Sequence, residues 1–211
     1  MDFSLRSLSR FLNFLDSLEG ETYAEAPSPL HENVSKQAME HLFATCAIPP
    51  RARVLDVGCG QGVALIPFRQ RGCIATGVTL NDTDLAACRA QGFDVRKMDQ
   101  SFLEFGDGSF DVVWARHVVE HSIMPYYTLV EFRRVLRPGG FLYLEVPGVT
   151  AVKHEHNRNH YSVLGQEMWL ALLERSGFSV RERMSYFLKV ADGMADEYWG
   201  FFCLNPEAER Q

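Results

Sequence analysis

A buried-strand pattern that runs directly into three alternate glycines constrains this chain more than any other feature. Residues 54 to 62 read Val-Leu-Asp-Val-Gly-Cys-Gly-Gln-Gly. The apolar positions suit a central parallel strand that is covered on both faces. Glycine has no Cβ, so the turn after the strand can adopt positive φ angles and let a ligand approach the backbone closely. The segment predicts a ligand-binding turn at the carboxyl end of a first parallel strand. A ligand that contains adenosine is the expected occupant of such a turn.

The spacing of these glycines distinguishes two classes of adenosine-containing ligand. A dinucleotide fingerprint has its third glycine one position later, where this chain has Val63. The observed Gly-x-Gly-x-Gly spacing therefore disfavours a nicotinamide cofactor and, with it, a dinucleotide oxidoreductase.

Strand and helix patterns alternate on both sides of the glycine turn. Strands are predicted at 53–57, 73–78, 93–97, 110–115 and 141–146, and helices at 62–70, 82–91 and 126–136. Such alternation is typical of an α/β doubly wound architecture, a parallel sheet with helices on both faces. A helix at 164–175, capped by Gly177, and final strands at 178–184 and 198–204 complete the pattern.

Residues 1–50 precede most of this alternation and are predicted to form an N-terminal helical cap. An amphipathic helix opens the chain, with Leu5, Leu8, Leu12 and Leu15 at helical spacing. A proline-containing break at 26–29 separates it from a second helix at 35–45. The first helix also has features of an organelle presequence or of a membrane-surface helix, but the favoured interpretation is a lid that packs on its own domain. The α/β domain then spans residues 51–211.

Composition narrows the classes of function. The chain has 211 residues, 46% of them hydrophobic, which suits one buried core. Its net charge of −6 offers no general attraction for phosphate backbones, so nucleic acid is not expected as a partner. The five cysteines contain no Cys-x-x-Cys pair, which argues against a disulfide framework or zinc site and favours the cytoplasm. No apolar run approaches the roughly 20 residues that span a bilayer, so no membrane partner is expected.

Five motifs, in order, resemble those of the class I S-adenosylmethionine-dependent methyltransferases. After the glycine motif come Thr76-Gly77-Val78-Thr79-Leu80-Asn81, Arg96-Lys97-Met98-Asp99, Phe110-Asp111-Val112-Val113-Trp114 and Leu136-Arg137-Pro138-Gly139-Gly140-Phe141. The resemblance implies a Rossmann-like, mostly parallel, seven-stranded sheet whose last two strands form an antiparallel hairpin. It also implies S-adenosylmethionine as the cofactor and a small-molecule acceptor, methylated on oxygen or nitrogen rather than carbon.

The resemblance assigns cofactor contacts to the ends of four strands. The residues are Asp56, Gly58, Cys59, Gly60 and Gly62 in the first motif, Thr79, Leu80 and Asn81 in the second, Met98, Asp99 and Gln100 around the end of the third strand, and Arg116 after the fourth motif. The glycines are expected to line the methionine and ribose, and Asp56 either faces the ammonium group or orients the loop. Asp99 is expected to accept the adenine amine, with Met98 or Phe102 covering the ring.

Thr79 is a departure from the family pattern. Relatives usually end the second strand with a carboxylate that accepts hydrogen bonds from both ribose hydroxyls. The neutral hydroxyl of Thr79 makes a weaker hydrogen bond than a carboxylate does. Asn81 or Asp82 is therefore expected to contribute to ribose binding. A similar Gly-Val-Thr-Leu-polar string occurs in cyclopropane fatty acid synthases, which use the same cofactor but are longer.

Three residues are candidates for catalysis. Methyl transfer from a sulfonium depends mainly on positioning and water exclusion, and a general base is optional. The loops at the ends of the fourth and fifth strands cover the cofactor in this architecture, which selects His117, His121 and Glu145. His117 is the first choice as base, since an ordinary imidazole titrates near neutrality. The alternative for either histidine is a structural, hydrogen-bonded role.

A polar stretch at 154–160 supplies candidate acceptor contacts. His154, His156 and His160 lie there, and Tyr23 in the leader is a further candidate for the acceptor pocket. Substrate contact or a solvated loop is favoured over an iron or zinc site, because the spacing of the histidines matches no known metal motif. No metal is therefore assigned, although metal-assisted methyl transfer remains an alternative.

The leading hypothesis is a cytoplasmic methyltransferase of small-molecule biosynthesis, acting as a monomer or homodimer. A catalytically silent protein that binds the cofactor as a scaffold is a second hypothesis, and a protein or RNA methyltransferase is a third. Detection of methyl transfer from labelled S-adenosylmethionine distinguishes the first from the second.

Overall fold

One seven-stranded sheet forms the centre of the molecule. The computed structural model of the chain describes residues 4–18, 24, 27–151, 157–189 and 195–207. Within them the strands are β1 Arg53–Val57, β2 Ile74–Thr79, β3 Asp94–Lys97, β4 Phe110–Arg116, β5 Leu136–Pro147, β6 Ser179–Lys189 and β7 Ala195–Leu204. Their spatial order is β3-β2-β1-β4-β5-β7-β6. The first five run parallel, and β7 is antiparallel to both β5 and β6, which confirms the predicted fold class.

Six α-helices and one short 3-10 turn accompany the sheet in the described part of the chain. They are α1 Leu5–Asp16, α2 Pro29–Thr45, α3 Leu65–Gln70, α4 Asp82–Ala90, the 3-10 turn Val119–His121, α5 Pro125–Val135 and α6 Gln166–Arg175. Two helices begin three or more residues away from their predicted start. α2 begins at Pro29, because Ser28 caps it and proline is tolerated in a first turn. α3 begins only at Leu65, because Gly62 has a φ of +92°, which is not helical.

The two faces of the sheet bury separate apolar cores. On one face, Leu55 and Val113 pack with Leu129 and Phe132 of α5. On the other face, the strands pack against Met39 and Leu42 of α2 and Phe68 of α3. Alternate residues of β1 and β4 therefore serve opposite cores, as expected for strands covered on both sides. This packing holds α2 firmly on the sheet beside the end of β4.

α1 differs from α2 in its packing. None of its twelve residues is buried, and Leu5 is 87% exposed. Only its carboxyl end approaches the site described below, through Leu15 and, just beyond the helix, Leu18. The helix is amphipathic as predicted, and its role as a lid stays a prediction. No described helix combines the length and the apolar character required to cross a membrane.

Candidate active site

A cavity of about 590 Å³ opens at the carboxyl ends of the parallel strands. Strand order reverses between β1 and β4, and open α/β sheets bind ligands in the crevice at such a reversal. Ten of the residues predicted from sequence meet in its wall: Gly58, Gly60, Thr79, Leu80, Asn81, Met98, Asp99, Gln100, His117 and His121. The structure therefore brings residues from the ends of four strands to one cavity.

The glycine turn is held against β2 and leaves no space for side chains at its narrowest point. The amide nitrogens of Gly58 and Cys59 donate to the Val78 carbonyl at 2.9 and 3.0 Å. Gly58 has a φ of +71°, and a Cβ on it would lie 2.9 Å from Cγ2 of Val118. Gly58 thus meets both conditions that require glycine, a left-handed backbone and a close neighbour.

A smaller cavity lies between the glycine turn and α2. Its wall includes Asp56, Gly60, Gln61 and Arg116. The Nε of Arg116 is buried and makes no hydrogen bond with any residue that the structure describes. A carboxylate and a guanidinium in one small space suit a zwitterion, which presents an ammonium and a carboxylate together. Cys59 also lines this cavity, whereas Gly62 lines neither one.

The polar side chains at the end of β2 make hydrogen bonds with backbone amides a few residues further along the chain. Thr79 Oγ1 accepts a hydrogen bond from the Asn81 amide at 3.2 Å. Asn81 Oδ1 in turn caps α4 by accepting from the amides of Thr83 and Asp84. Asp82 is exposed, binds Lys97 Nζ at 2.8 Å, and does not line the cavity. Asp82 was a candidate contact for the cofactor ribose, but in the structure it lies outside the cavity and pairs with Lys97 instead.

Asp84 is the acidic residue that does line this part of the cavity. It lies in the first turn of α4 and is only 2% exposed. Sequence analysis missed it, because an acid in the first helical turn is usually explained by favourable interaction with the helix dipole. Its burial beside Thr79 and Gly60 is a tertiary property that no local pattern reveals.

The segment after β3 forms the next wall. Asp99 Oδ1 accepts from the Ser101 amide at 2.7 Å. Gln100 Nε2 donates to the Val118 carbonyl at 2.8 Å, while its Oε1 is buried without a partner among the described residues. Met98 and Phe102 lie on the same wall. The apolar and acceptor groups expected around an adenine are therefore present together.

His117 is embedded between two glutamates. Its Nε2 lies 2.9 Å from Oε1 of Glu145, and its Nδ1 lies 3.7 Å from Oε1 of Glu120. Burial opposes the charged ring, but the bonds and charges of Glu120 and Glu145 prevail and raise the pKa of His117 to about 9. The imidazole is therefore protonated at neutral pH and acts as a cation in this network. Its backbone φ of +51° is in the left-handed region.

Glu145 lies in the interior rather than in either cavity. Its side chain has no exposed surface and accepts from Arg116 Nη2 at 2.6 Å and from Tyr143 OH at 2.6 Å. Burial would raise the pKa of Glu145, but Arg116 and His117 keep it well below its usual range. Arg116 also donates to Ser35 Oγ of α2. Glu145 was predicted from the sequence to be catalytic, but it does not line either cavity. It holds the ring of His117 in position from the interior.

The 3-10 turn and the loop at 157–162 close the far side of the large cavity. The Ser162 amide donates to the Glu120 carbonyl at 3.0 Å, and Ser162 Oγ donates to the Ser122 carbonyl at 2.7 Å. His121 Nδ1 lies 3.0 Å from the carbonyl oxygen of Asn159. The loop therefore holds the ring of His121 at the cavity wall.

Three potential metal ligands also meet here. Glu120, His121 and His160 each place a ligand atom within 4.8 Å of the others. The His121 and His160 rings lie edge to face, with centroids 4.6 Å apart. No metal was assigned from the sequence, where an iron or zinc site was considered for the histidines without Glu120 as a ligand. Tyr23, His154 and His156 lie outside the described residues.

Several wall residues had no signal in the sequence. Leu15 and Leu18 approach from α1 and the residues after it, Ile123 and Met124 follow the 3-10 turn, and Tyr161 lies on the loop after β5. Apolar residues of these types are common in any core, so only the fold brings them to one cavity.

Comparisons with known proteins agree with this geometry. A family described as "Methyltransferase domain" matches residues 55–144. A ubiquinone biosynthesis O-methyltransferase of Pseudomonas aeruginosa is 28% identical over 137 residues, which cover 62% of this chain and 57% of that protein. The 27-O-demethylrifamycin SV methyltransferase of Amycolatopsis mediterranei is 26% identical over 165 residues, covering 70% of this chain and 61% of the relative. The matched part thus spans less than two thirds of each relative.

The fold of this chain is shared with a protein named for a different reaction. The crystal structure of the cyclase SpnF superposes with a TM-score of 0.70 at 18% identity, covering 95% of this chain and 93% of that one. Its name specifies a cyclisation, so the shared architecture does not fix the reaction. Residues 55–144 therefore match a methyltransferase domain, and the chain resembles the named methyltransferases in sequence and the methyltransferase fold in its strand order.

Proposed function

We propose that the protein transfers the methyl group of S-adenosylmethionine to a hydroxyl of a neutral, largely apolar small molecule. The observation that carries this proposal is the position of His121, a ring with one nitrogen fixed by the loop, in the wall of the cavity that the glycine turn borders. The two relatives, an O-methyltransferase and a 27-O-demethylrifamycin SV methyltransferase, support oxygen as the methylated atom.

The residues present fit the cofactor. Because Val118 excludes any side chain at position 58, the turn presents bare backbone to the cofactor. The buried Nε of Arg116 is a donor for the carboxylate of the methionine part. Asp56 supplies the opposite charge for its ammonium group. Asp84 and Asp99 supply acceptors for the ribose and the adenine amine. When bound, the cofactor supplies an activated methyl group on a sulfonium that is a good leaving group.

His121 is better suited than His117 to accept the proton of the hydroxyl. The pKa of His117 is raised to about 9, so its ring is already protonated at neutral pH. The Asn159 carbonyl can only accept, so His121 Nδ1 must carry the hydrogen of that bond and Nε2 of the neutral ring carries the lone pair. His121 Nε2 then takes the acceptor's proton as the new carbon–oxygen bond forms.

The lining of the cavity indicates the class of acceptor. Among the described wall residues there is no Lys or Arg, and the His117 cation is already neutralised by its two glutamates. Leu15, Ile123 and Met124 add apolar surface. An acceptor with a phosphate or carboxylate would find no free cation in this wall, which also argues against nucleic acid. Leu15 and Leu18 line this cavity, so the first helix and the residues just after it would help to exclude water from it.

The test is transfer of label from S-adenosylmethionine to matched acceptors. We expect neutral phenols or alcohols to be methylated and their carboxylated analogues to react poorly. His121→Gln should lower kcat by roughly 10² to 10⁴, the usual contribution of a general base. The control is His41→Gln, since His41 lies on α2 and binds Glu182 away from both cavities. Cofactor binding without transfer to any acceptor would favour the silent-scaffold hypothesis.

A second candidate is metal-assisted methyl transfer, because Glu120, His121 and His160 converge. A divalent ion there would lower the pKa of a coordinated hydroxyl and remove the need for a base. Elemental analysis and assay of chelator-treated protein decide between the two. Loss of activity that is restored by one metal would establish this candidate, whereas full activity without metal would support His121 as the base.

A further inference from the structure

The side chain of Asn157 contacts His160 directly and orders the turn whose Asn159 carbonyl contacts His121. Its Oδ1 accepts from the Asn159 amide at 3.0 Å. Its Nδ2 lies 3.0 Å from Nε2 of His160. The His160 amide also donates to the Asn157 carbonyl at 3.0 Å, which closes the turn.

These contacts fix the orientation of the Asn157 amide. Only the carbonyl oxygen of that amide can accept from the Asn159 N–H, so the NH₂ group must face His160. The NH₂ group can only donate, so Nε2 of His160 accepts and the hydrogen of its neutral ring is on Nδ1. The same turn holds the Asn159 carbonyl, which receives the Nδ1 hydrogen of His121.

We infer that Asn157 is a positioning residue that sets the tautomers of His121 and His160, keeping the hydrogen of each neutral ring on Nδ1. In both rings the lone pair is then on Nε2. The catalytic part of this inference rests on the proposed function, because it is His121 Nε2 that takes the proton of the acceptor hydroxyl. The tautomers themselves do not depend on that function.

The inference explains why the loop at 157–162 is attached to the 3-10 turn at several points. Ser162 binds the carbonyls of Glu120 and Ser122, which fixes one end of the loop. Asn157 fixes the other end of the loop through its bonds with Asn159 and His160. An imidazole whose partner carbonyl is free to move can exchange tautomers, and a ring with the wrong nitrogen protonated cannot act as a base at the required atom.

Nitrogen-15 NMR of the 211-residue chain labelled at histidine tests the tautomers directly. The signals are assigned with His121→Gln and His160→Gln. We expect the neutral rings of His121 and His160 to carry hydrogen on Nδ1. In Asn157→Asp the carboxylate still accepts from the Asn159 amide but can no longer donate, so His160 should change to the Nε2 hydrogen while His121 is unchanged. In Asn157→Ala both rings should lose their single tautomer.

The matched control is Asn33→Asp, since Asn33 lies on the exposed side of α2, where its Oδ1 accepts a hydrogen bond from Gln37. It should leave both rings as in the wild type. An Nε2 hydrogen on His121 in the wild type, or an unchanged His160 in a folded Asn157→Asp protein, would overturn the inference.

A kinetic measurement separates this inference from the proposed function. Asn157→Ala should lower kcat by a factor between roughly 10 and 10⁴, up to the full contribution of a base, with KM for S-adenosylmethionine little changed. If no acceptor is methylated, the proposed function fails while the NMR result still decides the tautomers. If transfer occurs and Asn157→Ala keeps the wild-type kcat, the positioning role is refuted.

Discussion

Arg116 and Glu145 occupy adjacent, paired positions of β4 and β5, and their side chains meet at 2.6 Å between Nη2 and Oε1. The pair is buried, with Arg116 11% and Glu145 0% exposed. Tyr143 and His117 bind the same carboxylate. The network therefore connects the sheet interior to the cavity wall, and Ser35 of α2 joins it from outside the sheet.

Glu145→Gln is expected to destabilise the protein by about 3 to 5 kcal/mol, because it leaves the buried charges of Arg116 and His117 without their counter-ion. Denaturant unfolding monitored by circular dichroism measures the change. Glu167→Gln is the matched control, since Glu167 forms an exposed pair with Arg183 and should change stability by less than about 1 kcal/mol. Equal effects of the two variants would contradict the role of Glu145 as an anchor.

His117 predicts a pH dependence of stability. Its pKa in the folded protein, about 9, is above the ordinary value of 6.5, so the folded state binds its proton more tightly than the unfolded state does. The stabilisation is complete below pH 6.5 and is lost as the pH rises through 9. Its size is roughly 3 kcal/mol, from about 1.4 kcal/mol per pKa unit.

Unfolding free energies measured between pH 6 and 10 would reveal the loss. His117→Gln, compared over the same range, should be less stable at neutral pH and should lack that slope. A wild-type protein whose stability is flat between pH 6.5 and 9 would show that the ring is not protonated in the folded state.

Asp84→Asn should weaken binding of S-adenosylmethionine by roughly tenfold to a hundredfold, since a hydrogen bond to a charged group contributes about 1.5 to 3 kcal/mol. The reason is the burial of Asp84 in the cavity wall beside Thr79, a strand-end residue without a carboxylate. Titration calorimetry measures the affinity. The control is Asp82→Asn, two residues away, exposed and paired with Lys97. An unchanged affinity in folded Asp84→Asn would exclude the contact with ribose.

Asp99→Ala should reduce cofactor affinity several-fold, because the adenine amine can only donate and loses its acceptor. The variant also loses the bond from Asp99 Oδ1 to the Ser101 amide. Asp99→Asn separates the two effects, since its Oδ1 still accepts from Ser101 while the other atom becomes a donor. A wild-type affinity in Asp99→Asn would assign the loss in Asp99→Ala to the turn alone.

The fold was predictable because its signals are local. The glycine turn and the strand periods each appear within a few residues, and parallel strands bring their carboxyl ends to one edge. The predicted turn before Phe141 is wrong, because β5 begins at Leu136 and includes Pro138, Gly139 and Gly140. Errors in the helices came from single residues. Pro29 resembles a helix break but is the first residue of α2, and Gly62 delays α3.

The charges in the site were not predictable, because they depend on residues far apart in sequence. His117 was the first choice as base from the ordinary titration of imidazole, yet Glu120 and Glu145 together raise its pKa to about 9, and Glu145 lies 28 positions later in the sequence. The contact exists only because β4 and β5 pair with Arg116 beside Glu145. Asp84 and Asn159 were missed for the same reason.

The 2.9 Å that would separate a Cβ on Gly58 from Val118 Cγ2 has a mechanical consequence. Val118 directly precedes the 3-10 turn that bears Glu120 and His121, so the glycine turn and the segment that carries the proposed base share one steric boundary. Close-packed groups cannot move independently. We therefore expect a shift that widens the space at the glycine turn to move the segment that bears His121 as well, so that cofactor affinity and the proposed reactivity towards the acceptor change together.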